Sequence, residues 1–203
     1  MERTYKMGEK THTTAVVLIL PEDVWGPIQD IRRKYDTQYR RWMPHVTLLY
    51  PFRPQAEFDE ITGPLQQACR TIEPFDVEMS TFRWFSHGGG RFTFWLAPEP
   101  GDRIRRLHEA LWEVLPDCDD VRRFADGFTP HLSVGKADNK NVLDELLADL
   151  QSDWQSIRFR AGEVALIRRS QPPDDIFRVD ITIQLGPTRQ RKIFCVSLRR
   201  HQK

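Results

Sequence analysis

Pro44-His45-Val46-Thr47-Leu48-Leu49-Tyr50-Pro51-Phe52 and Pro130-His131-Leu132-Ser133-Val134-Gly135 are the two stretches on which the reading of the fold turns. Each is a short apolar run opened by a proline and a histidine, the pattern of a strand that starts where proline fixes the backbone and removes a donor. The downstream order of elements is alike in both. After His45 the pattern predicts a helix over 57–71 and a strand over 76–86, and after His131 a helix over 143–150 and a strand over 157–167. The two histidines stand about 86 residues apart, a period too long for a solenoid and suited to two α+β lobes facing each other. A pseudo-twofold between the lobes would bring the two Pro-His strands together.

The remaining elements fit around this pair. Ala15 to Leu20 is a buried strand, and Val24, Ile28 and Ile31 give a helix from Pro21 to Thr37. Gly63-Pro64 is a candidate break in the helix over 57–71. His87-Gly88-Gly89-Gly90 is a hairpin turn before a strand over 91–97. Ile104, Leu107, Leu111 and Leu115 form one stripe of a helix that Asp102 would cap. A polar loop over 117–127 precedes the second motif, and strands over 177–185 and 191–198 form a last hairpin about Gly186-Pro187.

Composition narrows the function classes. The 203 residues are 39% hydrophobic and 29% charged, enough apolar material for a packed interior, which excludes disordered and fibrous classes. Thirty Lys and Arg against 29 Asp and Glu leave a net charge of +1, so any anion must be recognised locally. Cys69, Cys118 and Cys195 have neither redox nor zinc spacing. The polar lead has no apolar core of a signal peptide, and no stretch is long enough to span a bilayer. The expectation is a cytoplasmic protein with reduced thiols, monomeric, with no membrane or obligate protein partner.

Strand alternation projects His45 and Thr47 to one side, and likewise His131 and Ser133. Two imidazoles and two hydroxyls in one cleft suit a phosphodiester. Cleavage removes a proton from the attacking oxygen and supplies one to the leaving oxygen, roles a histidine fills near neutral pH. The hydroxyls can donate to the non-bridging oxygens. This scheme calls for no metal or other cofactor.

HVTLLYPF at 45–52 and HLSVGK at 131–136 resemble the paired motifs of the two-histidine (2H) phosphoesterase superfamily, which includes the RNA 2',3'-cyclic phosphodiesterases once called 2'-5' RNA ligases. The resemblance covers roughly 13–199. It implies an α+β, two-lobed duplicated fold, with antiparallel sheets lining a central cleft and helices outside. The chain would be one domain over 1–203, with a polar lead at 1–12 and lobes of roughly 13–97 and 98–199 between which strands can be exchanged. The resemblance further implies a metal-independent phosphodiesterase acting on an RNA end or small nucleotide carrying a 2',3'-cyclic or 2'-5' linked phosphate. His45 and His131 would be the acid/base pair, and Thr47 and Ser133 would hold the phosphate. Ser133 stands where threonine is commoner, and Lys136 where several members carry arginine. The competing reading is a nucleotide or RNA binding module that uses the same cleft without turnover.

Around these four residues, Tyr50, Phe52, Phe124 and Phe128 are candidates to stack on a base. Lys136 and Arg83 are candidate substrate contacts, and Arg91, Arg168 and Arg169 could meet flanking phosphates. Arg168 and Arg169 cannot both face the cleft, because neighbours on a strand alternate. His87 reads as a solvated turn residue, and His108 and His201 as surface groups.

Overall fold

The computed structural model describes residues 8–123 and 127–187. β1 (Thr14–Ile19) is the apolar run, covered on both faces: Val16 and Leu18 enter the main core, while Ala15 and Val17 join a second cluster with Ala165, Ile167 and Phe177. Burial on both sides is why this strand reads as continuous rather than alternating. α1 (Trp25–Tyr35) leads through residues 36–44 into β2 (His45–Leu49), which pairs antiparallel with β1.

α2 (Phe58–Arg70) runs through Gly63-Pro64 without a break. Phe58, Ile61, Leu65 and Cys69 tie it to the core at successive turns, enough to offset the roughly 3 kcal/mol that an interior proline costs a helix. β3 (Phe75–Ser86) and β4 (Phe92–Glu99) form the expected hairpin, with Gly88, Gly89 and Gly90 all at positive φ in its turn. α3 (Gly101–Val114) starts before Asp102, so Asp102 is not its cap. Pro100 occupies that position, and Glu99 accepts a hydrogen bond from the Gly101 N–H at 3.1 Å. β5 (Leu132–Ala137) carries the second motif, and the Asn139 side chain caps α4 (Lys140–Asp153).

The strand expected over 157–167 is two strands. β6 (Ile157–Ala161) pairs with β3, whereas β7 (Glu163–Arg168), beyond Gly162, pairs with β1 and with β8 (Arg178–Gln184). The other strand of the expected last hairpin, over 191–198, lies outside the described residues. The fold is α+β, with two antiparallel sheets ordered β2-β1-β7-β8 and β5-β4-β3-β6. Each sheet takes strands from both halves of the chain: β5 sits beside β4 and β6 beside β3 in one, and β7 beside β1 in the other.

The histidine strands β2 and β5 are edge strands of their sheets and lie against each other. The helix before each one packs on the opposite strand, α1 on β5 and α3 on β2. Gly135 makes the first of these contacts possible. A Cβ at that position would come within 2.3 Å of the Phe94 ring and 2.5 Å of the Tyr35 Cβ.

Candidate active site

Cross-strand register decides which side chains meet. Thr47 lies opposite Val17 and His45 opposite Ile19, so both project from the face that carries Ala15, Val17, Ala165 and Ile167. On the other sheet Ser133 lies opposite Trp95. The pairing then slips, so Gly135 meets Phe94 and Lys136 meets Thr93. That bulge shifts the alternation by one residue and brings Ser133 and Lys136, three apart, to the same side. His45, Thr47 and Tyr50 from the first motif line a cavity of about 240 Å³ together with Ser133, Gly135 and Lys136 from the second. Arg32, Asp36, Gln38, Trp42 and Thr93 complete its wall. His131 stands just before β5, outside this lining, and near enough to His45 for its charge to act on that ring.

The two imidazoles are held in the same way. His45 Nδ1 lies 2.6 Å from the Met43 carbonyl and His131 Nδ1 lies 2.8 Å from the Thr129 carbonyl, each belonging to the residue before the proline. A carbonyl only accepts, so each Nδ1 carries the hydrogen and each neutral ring keeps its lone pair on Nε2. The Thr47 hydroxyl donates to His45 Nε2 at 3.1 Å. The His45 ring stacks on Trp42 at 4.7 Å, and Trp42 stacks on Phe177 at 3.8 Å. His131 meets Phe85 edge-on at 5.0 Å, with Trp95 tilted against it at 5.8 Å. Burial drives the His45 pKa down to about 4, against the Met43 hydrogen bond, and the charges of Arg32 and His131 push it the same way. Burial also lowers His131, opposed by its bond to Thr129.

Arg32, buried on α1, pairs with Asp36 at 2.9 Å and donates to the Trp42 carbonyl at 2.9 Å, tying the loop before β2 to the helix. Neither Arg32 nor Trp42 is among the expected site residues. The signal in the sequence is a charged residue on the inward stripe of Ile28 and Ile31, with its partner one turn on.

Of the remaining expectations, Arg83 lies on the cleft face opposite Trp95 but outside the cavity, and exposed. Phe52 is not a substrate contact: it is fully buried beside Phe58, because the chain has left the strand and turned into the core. Phe128 is also buried, stacked on His108 at 4.0 Å and away from the cavity wall. His108 is not a surface group. It is buried on α3, its Nδ1 donating to the Leu48 carbonyl at 2.8 Å, because it falls on the same inward stripe as Ile104, Leu107 and Leu111. His87 is exposed, 2.8 Å from the hydroxyl of the wall residue Thr93. Phe124 and His201 lie outside the described residues.

A sequence model for the 2'-5' RNA ligase superfamily matches residues 20–173. The chain belongs to that superfamily. Two of its relatives are Geobacillus proteins that bear the name "Putative phosphoesterase". The one from G. kaustophilus is 27% identical over 60% of this chain and 67% of its own length. The one from G. thermodenitrificans is 29% identical over 52% of this chain and 58% of its own length. In the second case, then, the chain spans little more than half of the relative. Among solved structures, the Thermus thermophilus protein TT0787 superposes with a TM-score of 0.57 at 18% identity, over 86% of this chain and 98% of its own. E. coli LigT in complex with 3'-AMP superposes with a TM-score of 0.54 at 14% identity, over 88% of this chain and all of its own. At such identities these likenesses show a shared fold. Among the described residues no helix is long and apolar enough to cross a membrane.

Proposed function

We propose that the cavity between β2 and β5 cleaves a phosphodiester at a ribose 2' or 3' oxygen, most directly by hydrolysing a 2',3'-cyclic phosphate at an RNA or nucleotide end. The observation that carries this reading is the matched tethering of His45 and His131 through Nδ1 to the carbonyls of Met43 and Thr129. It keeps a lone pair on each Nε2, on strands whose hydroxyls Thr47 and Ser133 share one cavity wall. One imidazole takes a proton from water as the oxygen attacks phosphorus. The other, protonated, gives its proton to the ribose oxygen as the P–O bond breaks. On binding, the Thr47 hydroxyl turns from His45 Nε2 to a non-bridging oxygen, Ser133 donates alongside it, and Lys136 on the same wall offsets the phosphate charge. LigT of E. coli has been solved with 3'-AMP and with phosphate, ligands of the same chemical class.

The test is a panel of nucleoside 2',3'-cyclic phosphates and 2'-5' linked oligonucleotides incubated in EDTA. Turnover is expected in the wild-type chain. His45→Ala and His131→Ala should each reduce it by about 100-fold or more, with smaller losses for Thr47→Ala and Ser133→Ala. Binding without turnover would move the protein to the competing class of nucleotide-binding modules. A requirement for a divalent metal would refute the two-imidazole scheme.

A further inference from the structure

We propose that Arg169, with Arg41 beside it, forms an anion subsite next to the catalytic cavity, which takes the 5' phosphate of the nucleoside whose 2' or 3' phosphate is processed. This rests on the phosphodiesterase reading above and deepens it, by favouring ends of nucleotide chains over nucleosides bearing a single phosphate.

The strand decides which of the two neighbouring arginines is available. Ala165 and Ile167 on β7 face the cleft, and alternation continues to Arg169, whose N–H donates to the Thr13 carbonyl at 2.9 Å and so prolongs the pairing with the β1 side. Arg168 turns the other way, its Nε 3.2 Å from Asp180. The Arg169 guanidinium lies 5.6 Å from the centre of the Phe177 ring, which stacks on Trp42, and Trp42 is part of the cavity wall. Tyr50, another wall residue, feels the charges of both Arg169 and Arg41, which oppose the upward push of burial on its hydroxyl. Two guanidinium groups therefore stand on the Trp42 and Tyr50 side of the cavity, outside its wall.

Their charge is under-compensated. Asp175 accepts from Arg41 Nε at 2.8 Å and also has Arg40 at 3.6 Å, one carboxylate for two arginines. Arg169 has only the Ser170 carbonyl at 3.4 Å, and its buried Nε has no partner among the described residues. The Nε is shielded from solvent, so an incoming phosphate oxygen would meet the outer Nη groups, of which one has only the long Ser170 contact among the described residues. A guanidinium fork matches phosphate geometry, and the Phe177 ring lies within cation–π range of it. In a molecule of net charge +1, such a concentration beside the cavity is local recognition rather than a general field.

Calorimetric titration of the full chain with adenosine 3'-monophosphate and adenosine 3',5'-bisphosphate separates the two phosphates. The wild type should bind the bisphosphate about tenfold more tightly, the size expected of one charge-assisted contact. Arg169→Gln should abolish that preference while leaving monophosphate affinity within about twofold, and Arg169→Lys should keep part of it. The inference is overturned by any of three results: no preference in the wild type, a preference that survives Arg169→Gln, or equal loss of both ligands in that variant. Turnover of cyclic phosphates is measured separately on the same preparations. Its absence beside an intact bisphosphate preference would reject the catalytic reading and leave the subsite standing.

Discussion

His45 and His131 are both pushed towards the neutral form by burial, His45 to a pKa of about 4, yet the acid–base chemistry proposed above needs one of them protonated. The missing proton must be taken up from solvent as the ligand binds. An anion placed between the rings stabilises an imidazolium, so binding raises a depressed pKa and takes up a proton. The sign is then fixed: the lower the pH across the range from about 8 to 5, the less it costs to protonate the site and the tighter the anion binds. Sulfate does not titrate in this range and so reports on the protein alone. Its affinity should rise as pH falls, with proton uptake of up to about one per site, seen as a dependence of the titration heat on the buffer. A pH-independent affinity without proton uptake would show that the rings do not face the anion. At this scale the sequence was readable wherever strand alternation alone decides the direction of a side chain, as for His45 with Thr47. It was not readable for Phe52 and Phe128, which lie beyond the strand ends and follow the core instead.

The bulge opposite Phe94 and Trp95 illustrates what the element adds. By alternation alone, Gly135 rather than Lys136 would join His131 and Ser133 on the cleft side. The slipped register turns Gly135 towards Phe94 and Lys136 towards Thr93. Nothing in the hydrophobic pattern announces such a slip, since Val134 and Gly135 are both compatible with either phase. In the run over 157–167 the mark of its division between two sheets is Gly162, where the alternating Ile157–Ala161 gives way to the apolar stretch over 164–167. Gly135 is also the place where α1 touches β5, and the consequence can be measured. Gly135→Ala inserts a methyl group into space held by Phe94 and Tyr35, which should cost about 1–3 kcal/mol and lower the melting temperature. By forcing α1 off β5 it should also weaken ligand binding, because Arg32 on the same helix holds the Trp42 loop. Gly162→Ala, at the crossing between sheets, meets nothing within 4 Å and should stay within about 0.5 kcal/mol of wild type. Equal stability of the two variants would mean that the packing of Tyr35 over β5 is not tight.

Across the whole molecule, the duplication was visible as a repeated order of strand, helix and strand, and the family resemblance allowed strand exchange between the lobes, but which strands are exchanged was not legible. It depends on which edges pair over long sequence separations, and each half alone offers its strands several equally apolar partners. The exchange makes folding a joint event. Without residues beyond 98, β3 loses β6, β1 loses β7, and β2 loses the cover of α3. A fragment over 1–98 would therefore expose the apolar faces of Val16, Leu18, Val46 and Leu48 or collapse without fixed packing. Neither half by itself should show a cooperative thermal transition or dispersed amide resonances. Mixing fragments 1–98 and 99–203 should restore both, together with sulfate binding, because Thr47 and Ser133 reach one cavity wall, and His131 comes near His45, only when the edge strands meet. A sharp melt from either fragment alone would mean that the halves are independent lobes, and that the closeness of β2 and β5 is an accident of docking rather than a condition of the fold.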